Sequence, residues 1–164
     1  MLEAGKFPAS TEMVQPVTDN PTLDVRGWSG GYEPTLNGRS LVMRPHEQAL
    51  ALTFFPDGRS FVLGTIWYIR CIDATGHVLW ETPVPYGARG LVVTQVGHLV
   101  VTAVGDGTIR WYAADTGREL LAFFPHLDGQ RWITWTRSGI TANFIWNLCW
   151  WRSAVTPCNR HIPF

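Results

Sequence analysis

Apolar and polar positions in this chain alternate in short runs broken by glycine, proline and aspartate, and the sequence of runs is written more than once. Leu50, Leu52 and Phe54 alternate with Ala51, Thr53 and Phe55, the period of a strand. Pro56-Asp57-Gly58-Arg59 then predicts a turn, because proline presets φ and glycine accepts a positive one. Three more strands are predicted over Phe61–Gly64, Trp67–Ile72 and Val78–Glu81, with Asp73-Ala74-Thr75-Gly76 turning the chain between the last two. Pro83 and Pro85 close the set, since proline cannot donate to a central ladder. A second set follows over Gly90–Val96, Leu99–Val104, Thr108–Tyr112 and Leu120–Phe124, with turns at Gly105-Asp106-Gly107 and Asp115-Thr116-Gly117-Arg118. A third begins at Arg131-Trp132 and loses the pattern after Gly139.

Four pairs of anchors measure the period. Gly58 to Gly97 is 39 residues, Gly97 to Gly139 is 42, Arg70 to Arg110 is 40 and Thr75 to Thr116 is 41. A repeat of about 40–45 residues built of short strands is the mark of a propeller blade. Leu91-Val92-Val93 and Leu99-Val100-Val101 are apolar on successive residues, which predicts sheets dry on both faces. The expected fold is therefore all-β: a partial β-propeller with about two four-stranded antiparallel blades and incomplete blades at each end. The divisions are a disordered arm or linker over 1–21, a partial blade or lead-in strands over 22–45, blades over 46–86 and 87–127, the start of a further blade over 128–139, and an atypical Trp-rich tail over 140–164. In the lead-in piece, Asn37-Gly38 between apolar runs predicts a hairpin, and Leu41–Arg44 a further short strand. Propellers close with typically four to eight blades. Two blades make an open arc with bare apolar faces, which favours self-association.

Composition narrows the function. Thirteen Lys and Arg balance thirteen Asp and Glu, with neither sign clustered, which argues against nucleic acid or an anionic membrane as partner. No apolar run approaches the length of about 20 residues that a membrane helix needs. The first residues lack a basic stretch leading into an apolar one, and Cys71, Cys149 and Cys158 form no close pair; both point to reduced thiols in a cytoplasmic protein.

Candidate chemistry is sparse. Asp57, Asp106 and Asp115 sit beside or between turn glycines, where shaping the turn outweighs a ligand or acid role. Cys158 and His161 are three apart but have only Cys149 nearby to complete a metal site. His46, His77, His98 and His126 are scattered singly near turns. The Trp-rich tail lacks the cationic flanks of a membrane-surface helix. There is no Gly-x-Ser-x-Gly, phosphate loop or paired-acid motif, so neither a catalytic site nor a cofactor or metal site is expected.

Gly105-Asp106-Gly107-Thr108-Ile109-Arg110 resembles the core of WD-repeat proteins, although Tyr112-Ala113 and Ile72-Asp73 stand where the Trp-Asp pair belongs. Three further blocks resemble a bacterial group of WD-repeat-like propellers: Val25-Arg26-Gly27-Trp28 with Tyr32–Gly38, Pro56–Ser60 with Leu63-Gly64-Thr65, and Phe124-Pro125-His126 with Trp132–Thr136. The resemblance covers about residues 22–139. It implies a non-catalytic module of a larger protein, sometimes one carrying caspase-like or nucleotide-binding signalling domains, that contacts another protein or a neighbouring domain. In that group the third opening runs on into an aromatic turn, whereas Gly139-Ile140-Thr141 departs from it, as a change of reading frame near Gly139 would produce. An alternative is a pyrroloquinoline-quinone propeller fragment, an oxidoreductase-like reading, because Asp73–Trp80 is similar to that repeat with its tryptophan one place early. The second copy loses the tryptophan near Leu121 and there are no adjacent cysteines, which argues against it. A remnant without function is the third reading.

Overall fold

A computed structural model describes residues 15–136 and 138–143. Among them are thirteen strands and no helix. They form three antiparallel sheets that do not close into a ring, an arrangement consistent with part of a propeller.

The N-terminal sheet is small: β1 (Val25–Arg26), β2 (Thr35–Leu36) and β3 (Arg39–Ser40), in the order β1-β2-β3. Asn37 and Gly38 join β2 to β3 with φ of 50° and 79°, the paired positive angles of a tight hairpin. Leu41–Arg44 forms no strand. Leu41 makes one backbone bond, to the Pro34 carbonyl, and the chain then turns into the Glu47 loop. The expected arm is tied down at its end: the Val17 carbonyl accepts from Phe54 N at 2.8 Å, and the Asn20 carboxamide bonds to the backbone of Thr22, Leu23 and Gly58.

The central sheet is β4 (Ala49–Phe54), β5 (Ser60–Thr65), β6 (Tyr68–Asp73) and β7 (Val78–Pro83), each paired with the next. Alternation sends its side chains to two dry faces. Leu52, Phe54, Phe61, Leu63 and Ile72 join Leu23, Val25, Leu36 and Leu41 in one core under the N-terminal sheet. Ala51, Val62, Ile69, Cys71 and Trp80 join a second core with residues of the sheet that follows. Burying a large aliphatic or aromatic side chain stabilises by about 1.5–3 kcal/mol, so a sheet covered on both faces gains twice over from the same backbone.

The C-terminal sheet departs from the expected plan. β8 (Ala88–Val93), β9 (Leu99–Val104), β10 (Ile109–Ala113) and β11 (Glu119–Pro125) repeat the central sheet. The segment expected to begin a separate sheet does not do so. β12 (Trp132–Thr136) pairs antiparallel with β11, placing Phe124 opposite Ile133, and β13 (Gly139–Asn143) pairs with β12. The result is one sheet of six strands. The cause is local: the turn between β11 and β12 is tight, with the His126 amide bonded to the Arg131 carbonyl and Asp128 accepting from Gln130 N and Arg131 N. A reversal that short delivers the next strand to the edge beside it. The tail beyond residue 143 lies outside the described residues.

Candidate functional site

The two repeat sheets meet along β4, β5 and β8 and are pinned together further out by one tryptophan. A Cβ on Gly64 of β5 would stand 2.8 Å from the Ala88 Cβ, so the two backbones approach as closely as glycine permits. At the outer rim the Trp80 indole N–H donates to the Ala114 carbonyl at 2.8 Å, and the Thr82 hydroxyl donates to the Gly117 carbonyl at 2.6 Å. Gly117 has φ of 65°, and any Cβ there would fall inside the Trp80 ring. The Asp115-Thr116-Gly117 turn of one repeat thus seats the tryptophan of the other.

Beside this contact a cleft of about 400 Å³ opens between the sheets, lined among others by Phe55, Asp57, Cys71, Trp80, His98 and Asp115. It brings together residue types that a thiol enzyme would use, with the thiol held in its protonated form. Burial pushes the Cys71 thiol up to about 11. At neutral pH it is therefore protonated and weakly nucleophilic. No hydrogen bond among the described residues joins His98 to Cys71; the His98 backbone carbonyl instead accepts from Ala114 N at 3.0 Å.

Charge is concentrated on the opposite face of the central sheet. Glu47 is fully buried; its carboxylate accepts from Thr65 Oγ1 at 2.5 Å, Arg44 N at 3.0 Å and Arg70 Nη2 at 2.6 Å. Arg70, only 3% exposed, also donates through Nε to Glu81 at 2.6 Å. Arg44 meets the other oxygen of Glu81 at 2.6 Å and lies 3.8 Å above the Tyr68 ring. Every charge in this network has a partner of opposite sign, as a buried ion cluster requires. It fastens the 44–48 loop to β6 and β7. The repeat-equivalent Arg110 does similar work, pairing with Asp106 at 2.7 Å and Glu119 at 2.9 Å.

The turn aspartates act on the backbone. Asp106 accepts from Thr108 N at 3.0 Å and Thr108 Oγ1 at 2.5 Å. Burial alone would raise its carboxyl, but these bonds and the Arg110 guanidinium hold it below the ordinary value. Asp73 makes the same motif in the first repeat with Thr75 and adds His77 N. Asp57 accepts from Arg59 N at 3.0 Å, and Asp115 from Thr116 Oγ1 at 3.1 Å. His46 and His77 lie in loops, and His126 contacts Asp128 at 3.1 Å. No group of three or more His, Cys, Asp or Glu among the described residues is placed to hold a metal. Cys149, Cys158 and His161 lie outside the described residues. No helix of the described residues is long and apolar enough to cross a membrane.

The open arc implies an uncovered apolar face without saying which sheet carries it, and the structure gives its residues. On the C-terminal sheet, Val100, Thr102, Val104 and Tyr112 face the central sheet. Their neighbours Val101, Ala103, Ile109, Trp111, Leu121 and Phe123 therefore share the other face, and the register places Trp111 beside Val101 and Leu121. None of these six belongs to either buried core. Phe123 continues the face onto β12 through Trp132, with ring centroids 6.2 Å apart. By the 39–41-residue period, Val101 stands for Val62 and Ile109 for Ile69, residues that the central sheet buries. Ala103 is exposed and the other five are half-buried. Among the described residues the sheets thus form an antiparallel stack in which one repeat face is covered by the next sheet and no further sheet covers its successor. No protein-family model matches this chain, and no curated protein matches it in sequence.

Proposed function

We propose that this chain is a non-catalytic interaction module, a piece of a WD-repeat-like propeller that holds another protein or a neighbouring domain of its parent in the cytoplasm. The observation that carries the reading is the outer face of the C-terminal sheet, apolar, covered by no further sheet among the described residues, and in the repeat position of a face that is buried one sheet earlier. A contiguous apolar face without a covering sheet is the kind of surface that binds a partner. The charged groups support the same reading from the other side, because Arg44, Glu47, Arg70, Glu81, Asp106 and Arg110 are all spent on one another. The buried, unpaired Cys71 thiol suits a reducing compartment. The test is a photo-crosslinking residue placed at Val101 and, as a control, at the exposed turn residue Arg59, in the full chain inside cells. The reading expects a defined crosslinked band from position 101 that position 59 does not give. Equal labelling from both positions refutes it.

A further inference from the structure

We propose that the outer face of the C-terminal sheet, which no described strand covers, packs against the same face of a second copy across a two-fold axis. The inference rests on the interaction-module reading and names its occupant. Three observations carry it.

The first is area. Six strands at about 4.8 Å spacing and five residues at about 3.4 Å rise make a face of about 29 by 17 Å. Two such faces bury about 1,000 Å², the least that a specific interface needs. The four-stranded version of this sheet would fall short, so the added strands β12 and β13 bring the face up to size.

The second is charge. Val101, Ala103, Ile109, Trp111, Leu121 and Phe123 include no ionisable group, and the nearby Arg110 and Glu119 are paired with each other. An isologous contact sets each residue against its own symmetry mates, so a face carrying one sign of charge repels itself and an uncharged one does not. The formal net charge of the whole chain is +0, which adds no long-range repulsion.

The third is precedent within the fold. The equivalent face of the central sheet takes another sheet of this chain as its cover, through Ala51, Val62, Ile69 and Cys71 against the opposite face of that sheet at Leu91, Val93 and Val100, so a face of this kind is one that packs on a sheet. Sheets pack this way at about 10 Å separation with strands inclined by about 30°.

The test is sedimentation equilibrium of the full chain over a wide range of loading. The inference expects a mass that rises to a plateau at twice the 18.4 kDa of one chain. Ala103 is an exposed residue on the face, so Ala103→Glu adds charge without removing a core contact. Setting like charges against each other costs several kcal/mol, and this variant weakens dimerisation at least about 100-fold. Val101→Thr, nearly isosteric, weakens it in the same direction, and circular dichroism checks that both variants keep their sheets. Leu127→Glu removes a fully exposed apolar side chain outside the face and leaves the dimer intact. A folded chain that stays monomeric at every loading overturns the inference; if position 101 still crosslinks to a different protein, the module reading stands without it. A dimer that survives Ala103→Glu, or is abolished by Leu127→Glu, overturns it as well.

Discussion

Replacing Gly117 by alanine tests how the two repeat sheets are locked. Two costs arise together. A side chain at φ of 65° pays left-handed strain, about 1–2 kcal/mol. The new methyl also lands in the Trp80 indole, with ring atom Cδ2 at 2.6 Å and the Thr82 hydroxyl at 2.9 Å. Trp80 cannot stay and keep its bond to Ala114, so overpacking of about 1–3 kcal/mol adds to a lost hydrogen bond of about 0.5–1.5 kcal/mol. Gly129 separates the terms: its φ is 68°, and nothing lies within 4 Å of its Cβ position. Gly129→Ala therefore reports strain alone, and the difference between the two variants, about 1.5–4.5 kcal/mol, reports the sheet-to-sheet lock. At about 2–4 °C per kcal/mol for a chain of this size, that is a gap of about 3–18 °C in Tm. Urea and thermal unfolding followed by circular dichroism measure both. Equal losses in the two variants would refute the seating of Trp80 in the Asp115–Gly117 turn.

Other outcomes follow from the same contacts. Glu47→Leu strands Arg70 with one carboxylate and costs about 3–5 kcal/mol by urea denaturation, whereas Glu47→Leu with Arg70→Met recovers much of that, because no buried charge is left. Stability falls as pH rises from about 9 towards 11, because the unfolded chain ionises Cys71 while burial keeps the folded thiol protonated; the Tyr112 phenol, also raised by burial, acts in the same sense at higher pH, and Cys71→Ala removes the lower part of the fall. Thiol-reagent labelling of Cys71 is slow at pH 8 and accelerates in step with unfolding as urea is added. Asp106→Ala costs about 1–2 kcal/mol through the lost Thr108 bonds. Since its carboxyl is held low, the native contribution is present above the ordinary carboxylate pKa and vanishes as pH falls through the folded value, so wild type and variant converge in acid.

Strand positions were legible because two signals agree. Alternation fixed the strands of the central sheet to within a residue or two, as with Phe61–Gly64 expected and Ser60–Thr65 found. Turn chemistry placed Asn37-Gly38 and Asp73–Gly76 where the chain reverses. Edge pairing was not legible: Trp132–Thr136 looks like Leu91–Val93 as a strand, and only the tight His126–Arg131 turn decides which neighbour it joins. Glu47 was invisible for a different reason. It sits in an aperiodic loop, and its burial depends on Arg70, 23 residues away. The Trp80 contact likewise joins residues 34 apart, a separation at which local pattern carries no information. The bare face was foreseen as a general property of an open arc, but which sheet bears it depends on the N-terminal strands capping the other end.

That cap has a directional effect. Its three strands hold two residues each, too short to serve as a template for another sheet, and they leave exposed arginine and serine outermost at Arg39 and Ser40. The cap thus makes the two ends of the described stack unlike, so the proposed like-to-like contact joins units through one end alone and ends at a pair.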